Sequence, residues 1–310
     1  MAAMGVRLGI GDDCALLRPR AGEELAVTTD LSIEGRHFRL GWHPPESVGH
    51  RTLARGLSDL AAMGARPVAA FLSLGLPREL TVTSSSGKAW VERFLDGLLA
   101  LAALHGVPLA GGDLAESPVA IADIVLTGAV PKGKALLRSG AHPGDRIYVT
   151  GSLGGAAAEL AALGVAPDLF AAKTAATAAS PHLYPQPRLA QGLWLRKRGL
   201  ASAAMDLSDG LSTDLAHLCQ ASGVAAEVEG AALPLGPAAS LQQALHGGED
   251  YELLFTAPPS ARIPRSIAGV AITAIGWIRD KESGDPDVIL HAASGPQPLL
   301  PQGWEHFSGS

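Results

Sequence analysis

Between residues 46 and 64, in ESVGHRTLARGLSDLAAMG, Leu53, Leu57, Leu60 and Ala61 recur three and four positions apart. That spacing lines one face of a helix, and Gly64 is placed to stop it. Around this helix the apolar residues crowd into shorter runs that suit strands. They are 25–29 (LAVTT), 67–75 (PVAAFLSLG), 107–110 (VPLA) and 119–130 (VAIADIVLTGAV), the last expected to bend at Asp123. A long helix is predicted over 84–105.

From 131 to 145 the sequence PKGKALLRSGAHPGD turns to proline, glycine and basic residues, the composition of a passage between domains. Beyond it the alternation restarts. Strands are predicted at 146–150, 224–229, 251–256, 271–276 and 287–291, and helices at 152–163, 188–198 and 210–222, with an Ala-rich helical stretch near 169–179. The pattern predicts an α/β protein with some α+β character and mixed sheets, in two domains, 1–132 and 133–310. No repeat of fixed period is visible.

Acidic residues gather where these apolar runs end. Asp12 and Asp13 follow LGI, Thr28, Thr29 and Asp30 end LAV, and Gly111, Gly112 and Asp113 follow VPLA. Asp206, Ser208 and Asp209 precede Gly210, while Gly247, Gly248, Glu249 and Asp250 precede YELLF. Asp59 stands alone in the second half of an apolar helix. Carboxylates at strand ends sit where α/β proteins bind ligands, and several together stay ionised only if cations offset them. The donor set is hard oxygen without thiolate, which suits Mg²⁺. Each cluster also has an ordinary explanation: turn chemistry, an Asp59–Arg55 pair along the helix, or Asp209 as the N-cap of the helix after it. The turn Thr150–Gly155 joins a strand to a helix, yet fits neither common phosphate-loop pattern, and a structural role is favoured.

Composition narrows the picture. The 310 residues are 47% hydrophobic and only 17% charged, with a net charge of −6, which argues against a nucleic-acid or anionic-membrane partner. Lysine occurs six times, so a phosphate-handling protein of this sequence needs metal ions and arginines for positive charge. Cys14 and Cys219 form no CxxC pair, and no secretory segment or run of ~20 apolar residues appears; a cytoplasmic protein is expected.

The motifs LGIGDDCALL, VTTDLSIEGRHF, GLSDLAAMGA, GGD, LLRSGAHPGDRIYVTG, MDLSDGLSTDL and GGEDYEL follow one another from residue 8 to residue 253. In this order they resemble the thiamine-monophosphate kinase family, relatives of aminoimidazole-ribonucleotide synthetase and selenophosphate synthetase. The resemblance implies transfer of the γ-phosphate of ATP to thiamine monophosphate. It also implies two α/β domains and a homodimer whose amino-terminal strands form a shared barrel. Carried over by motif, Asp13, Thr28, Thr29, Asp30, Asp59, Asp113, Asp206 and Asp209 correspond to ligands of several Mg²⁺ ions, with Asp30, Asp59 and Asp209 assisting transfer. Gly112, Asp113, Arg138 and Ser208 correspond to ATP contacts, and His37, Glu249 and Trp304 to contacts with thiamine monophosphate. Taken alone, His37 reads equally as a packed histidine, Arg138 as a solvent-facing linker residue, and Trp304 as tail packing. Seven residues precede Leu8, where the resemblance implies a longer leader containing a helix. The alternatives are another ATP-dependent member of the superfamily with a different acceptor, or a non-catalytic nucleotide- and cation-binding protein.

Overall fold

The computed structural model describes residues 5–83, 87–173 and 180–303, which form two compact units. The first comprises Met1–Leu60, Ala65–Gly133 and Ala161–Gln186, and the second Ala61–Gly64, Lys134–Leu160 and Pro187–Ser310.

In the first unit the chain runs β1 (Val6–Leu8), β2 (Leu16–Leu17), β3 (Glu23–Ile33), α1 (Pro45–Ala62), β4 (Arg66–Leu76), α2 (Trp90–His105), β5 (Leu109–Glu116) and β6 (Ile121–Pro131). Four of these strands form a mixed sheet in the order β3-β6-β4-β5, antiparallel except for the β4–β5 pair. Strand β3 extends beyond the predicted 25–29 and alternates from Leu25 to Ser32. Leu25, Val27, Thr29 and Leu31 are exposed, whereas Ala26, Thr28, Asp30 and Ser32 lie on the covered face. The bend expected at Asp123 is absent: β6 pairs with β3 without interruption from Glu23–Pro131 to Ile33–Ile121, because both neighbouring strands hold it. Helix α2 starts at Trp90, later than predicted, since Ala89 is extended and its N–H is taken by Glu92 Oε2 at 2.6 Å. Helices α1 and α2 bury Leu53, Leu57, Leu60, Phe94 and Leu98. They meet backbone to backbone: a Cβ on Gly97 would fall 1.9 Å from the Glu46 carbonyl oxygen. Residues 180–186 are pinned to this unit by His50 Nε2, which donates to the Pro185 carbonyl at 2.7 Å. Arg51 Nη1 adds a bond to His182 Nε2 at 2.9 Å.

The second unit runs β7 (Arg146–Thr150), the start of α3 (Gly155–Val165, which passes to the first unit at Ala161), α4 (Leu189–Arg198), β8 (Ala203–Asp206), α5 (Leu211–Ser222), β9 (Ala225–Glu229), α6 (Leu241–His246) and β10 (Leu253–Ala257). It finishes with β11 (Ser266–Ile267), β12 (Val270–Arg279), β13 (Val288–Ala292) and β14 (Gly295–Pro298). Its sheet has the order β14-β13-β9-β12-β7-β10-β8, with β11 beside β12, and is antiparallel apart from β9–β13. Helix α5 lays Leu211, Leu215, Leu218 and Cys219 on a core that includes Val228, Leu254 and Ile275. The Ala-rich helix expected near 169–179 is not formed where it is described: Pro167–Leu169 make a single 3-10 turn and the chain turns again before Lys173. Residues 174–179 lie outside the described residues.

The start of α3 depends on a distant carboxylate. Asp250 accepts the N–H of Gly154 at 2.7 Å and of Ala156 at 3.3 Å, serving N–H groups that a helix leaves without partners. The Thr150–Gly155 turn is thus filled by the protein's own acid, in keeping with the structural role favoured for it. Burial pushes the Asp250 carboxyl up to about 7, opposed by those two N–H groups and reinforced by Glu252 and Glu249.

Two expectations follow. Gly97→Ala forces α1 and α2 apart and lowers unfolding free energy by about 1–3 kcal/mol, whereas Leu104→Ala, at a site 70% exposed on the same helix, changes it by less than about 0.5 kcal/mol; urea titration of both measures the contrast. Because Asp250 binds its proton more tightly in the folded chain, its ionisation costs stability progressively from about pH 4 to about pH 7. Asp250→Asn escapes that cost, so its stability relative to the natural protein improves across this window. A gap that stays constant from pH 4.5 to 8 would mean an ordinary carboxylate.

Candidate active site

In the first unit the alternation of β3 brings Thr28 and Asp30 to the face that α1 covers, and there Thr28 Oγ1 donates to Asp59 Oδ2 across a very short contact. Asp30 Oδ1 lies 3.6 Å from Arg55 Nε, whose Nη1 reaches the Leu31 carbonyl at 3.2 Å and Ser32 Oγ at 3.1 Å. Asp30 Oδ2 is buried and accepts no hydrogen bond. Burial therefore raises the Asp30 carboxyl to about 6; Arg55 opposes the shift, and Asp59 and Asp123 add to it. An uncompensated carboxylate oxygen beside a second carboxylate and a hydroxyl is a donor set that fits a hard cation. Among the described residues no group of three or more His, Cys, Asp or Glu side chains could hold a metal ion unaided. The set is a partial one, of the kind Mg²⁺ completes with water and phosphate oxygens.

The other sequence-predicted residues of this unit are less closely grouped. Thr29 faces the opposite side of the sheet from Thr28 and Asp30. Asp13 is on an exposed loop, its N–H held by Asp12 Oδ1 at 2.9 Å. Asp113, also exposed, stands in register with Ser73 on β4, which pairs on its other side with Asp123 of β6. Gly112 beside it permits a close crossing: a Cβ there would fall 1.9 Å from the Leu72 carbonyl oxygen. His37 Nδ1 accepts the Ile33 N–H at 3.0 Å, and its ring lines a small cavity with Phe38, Arg51 and Arg55.

The second unit assembles Asp206, Ser208, Asp209 and Glu249 around one turn. Asp206 is buried at the end of β8, in register with Leu253. The Ser208 carbonyl accepts the Glu249 N–H at 2.8 Å, and the Leu207 carbonyl accepts the Tyr251 N–H at 2.9 Å. Glu249 and Tyr251 have φ of +66° and +50°, backbone strain of the kind that concentrates at functional sites. Asp209 is not the N-cap of α5. That position is Gly210, without a side-chain cap, and the cap is supplied from inside the helix by Asp214. Asp214 is 1% exposed, and its Oδ2 accepts the N–H groups of Ser208, Asp209 and Gly210 at 3.1, 3.1 and 3.0 Å. Burial first, then Asp209 and Asp206, raise its carboxyl to about 8, which the backbone N–H groups oppose. Sequence reasoning passed over Asp214; the only signal was a third acid five residues after Asp209 in MDLSDGLSTDL. Arg138 is exposed, and its carbonyl accepts Ser222 Oγ at 3.0 Å. Trp304 lies outside the described residues. The residue before it, Gly303, donates its N–H to Thr213 Oγ1 at 3.1 Å.

Comparison with known proteins shows the family. Residues 11–130 match the AIR synthase related protein, N-terminal domain, and residues 142–288 its C-terminal domain. The thiamine-monophosphate kinase of Escherichia coli (strain K12) is 41% identical over 98% of this chain and 93% of its own. The crystal structure of thiamine-monophosphate kinase from Stenotrophomonas maltophilia K279a superimposes with a TM-score of 0.77 at 39% identity, covering 92% of this chain and 91% of that one. The solved complex of AaThiL with AMPPCP and TMP gives a TM-score of 0.79 at 31% identity, over 94% and 89%. The chain belongs to the thiamine-monophosphate kinase family of AIR synthase related proteins.

Proposed function

We propose that this protein phosphorylates thiamine monophosphate with ATP, as a Mg²⁺-dependent cytoplasmic homodimer. The observation that carries the reading is the buried, unpartnered Oδ2 of Asp30 beside Thr28 and Asp59, in a chain similar over its length to thiamine-monophosphate kinases. The AaThiL complex, with an ATP analogue and TMP bound, supports the same substrate pair.

Thr28, Asp30 and Asp59 in the first unit, and separately Asp206 and Asp209 in the second, are the proposed principal cation ligands; Asp13, Asp113 and, on the opposite face of β3, Thr29 are proposed as further ligands. Magnesium, when bound, neutralises two mutually repelling polyanions and fixes them in line. Gly112, Asp113, Arg138 and Ser208 are assigned to ATP. Gly112 leaves room for close backbone approach and Arg138 presents an exposed guanidinium. His37, Glu249 and Trp304 are assigned to the acceptor, where an indole suits a cationic thiazolium ring. Thiamine monophosphate is a phosphate monoester with a second pKa of about 6, so its oxygen is already anionic at neutral pH and needs no general base. That oxygen bonds to the γ-phosphorus as the bond to the bridging β,γ-oxygen breaks, and ADP leaves with the electron pair; no phospho-enzyme intervenes. The two cysteines are free, in keeping with a reducing compartment, and no described helix is long and apolar enough to cross a membrane. Leu25, Val27 and Leu31, 44%, 62% and 46% exposed, form an apolar stripe on the open face of the four-stranded sheet that a second copy would cover.

Purified protein incubated with ATP, Mg²⁺ and thiamine monophosphate is expected to yield thiamine diphosphate and ADP in equal amounts by chromatography; ADP and free phosphate without thiamine diphosphate would mean transfer to water and overturn the reading. Asp30→Asn is expected to lower kcat on the order of 10²–10³-fold. In metal-free buffer near pH 7.5 it should melt no lower than the natural protein, because a buried charge has been removed. Loss of fold together with activity would make Asp30 structural. Val27→Glu is expected to halve the mass measured by light scattering, to one chain of 31.7 kDa; an unchanged mass would remove this face from the interface.

A further inference from the structure

Three successive backbone N–H groups that converge on one point form a nest suited to a phosphate oxygen. The Ser208–Asp209–Gly210 turn has this form, and it stands at the head of α5, where the helix dipole also favours an anion. The nest is already filled: all three N–H groups donate to the same oxygen, Asp214 Oδ2. On the other side the turn is closed by the GGED loop, whose Glu249 N–H bonds the Ser208 carbonyl and whose Gly248 would carry a Cβ 2.3 Å from that same oxygen. The turn is therefore gripped from both faces, and the grip on its N–H side comes from a single side chain.

An oxygen that receives three N–H donors has little lone-pair capacity left for a cation. Its geometric effect is large, since it fixes three consecutive peptide planes and with them the direction in which Asp209 and Ser208 leave the backbone. Resting on the proposed kinase reading, we propose that Asp214 is a positioning residue for phosphoryl transfer. It acts as a hydrogen-bond acceptor that clamps the 208–210 turn, and is not itself a ligand of the metal or nucleotide. The same grip would withhold the three N–H groups from substrate phosphate, leaving the side chains of the turn to make the contacts.

The amide of asparagine has the shape of the carboxylate and keeps one oxygen for the three N–H groups, while it lacks the charge. Asp214→Asn and Asp214→Ala therefore separate geometry from charge. If Asp214 clamps, the Asn variant stays within about threefold of the natural protein in kcat and in the Mg²⁺ concentration for half-maximal rate. The Ala variant then loses on the order of 10–100-fold in kcat/KM for ATP and needs more Mg²⁺, as expected for losing several hydrogen bonds that order a ligand turn. Hydrogen exchange, read by mass spectrometry on peptides covering 206–211, supplies a readout independent of turnover: protected amides in the natural protein and the Asn variant, fast exchange in the Ala variant. An Asn variant as impaired as the Ala variant would mean that the charge matters, and would overturn the clamp in favour of a metal ligand. An Ala variant with fast-exchanging amides and undiminished activity would overturn it too. Should Asp214→Ala fail to fold, the Asn variant alone decides, since activity and protection must both survive in it. Failure of the kinase reading is distinguishable: the natural protein would then form no thiamine diphosphate, while the exchange pattern still reports the clamp.

Discussion

A carboxylate withdrawn from water must be met by hydrogen-bond donors or by positive charge, and three acids of this protein, buried Asp214 and half-buried Asp250 and Asp30, divide along that line. Asp214 and Asp250 are met by the chain itself. The first takes three N–H groups at the head of α5, the second takes two at the head of α3, and each closes a glycine-containing turn that would otherwise face the solvent with bare donors. Asp30 is treated differently. One oxygen has an arginine at 3.6 Å; the other is buried with no donor. A fold that meets Asp214 and Asp250 with N–H groups but leaves this oxygen open, beside Asp59 and Thr28, keeps on the proposed reading a place for a charge supplied from outside. That contrast supports a cation site more strongly than the number of acids does.

The sheets explain how so polar a site is tolerated. Strand β3 carries Thr28, Asp30 and Ser32 on its covered face and Val27 and Leu31 on its open one, the reverse of what burial alone would select. The covered face remains apolar only because β6 and β4 place Ile124, Leu126 and Leu72 there and α1 lays Leu53, Leu57 and Leu60 over them. A strand so inverted is stable within one chain only if its apolar edge is dealt with elsewhere, and on the proposed reading that is what pairing with a second copy accomplishes.

The same inversion set the limit of what the sequence disclosed. Helix α1 was legible to within two residues because four apolar positions held one period, and β7 was legible from end to end. β3 was foreshortened at residue 29, since Asp30 and Ser32 look like the end of an apolar run when the polar side is the covered side. The short elements α6 and β14 were missed, being too brief to hold a period. Strand-end acids were found because they cluster within a few residues of one another. Asp214 was not, because what matters is its contact with backbone four to six positions earlier, and backbone N–H groups leave no mark in a sequence. The helical expectation near 169–179 rested on alanine content, and at Pro167–Leu169 and beyond, proline and the packing of Phe170 with Leu183 and Tyr184 decided otherwise.

The filled turns bear on where positive charge must come from. Proteins that bind nucleotides through glycine loops let backbone N–H groups and a lysine carry the phosphates. Here two turns that present backbone N–H groups at a helix start are occupied by Asp214 and Asp250, and the chain has only six lysines against a net charge of −6. On the proposed reading, two phosphate chains brought together among these acids need arginine or metal ions to balance them. On the proposed reading divalent ions arrive with the nucleotide, and the acids that repel bare phosphate would then help to select its metal complex. On the same reading the negative charge of the site would itself discriminate, favouring ATP already paired with magnesium over free ATP.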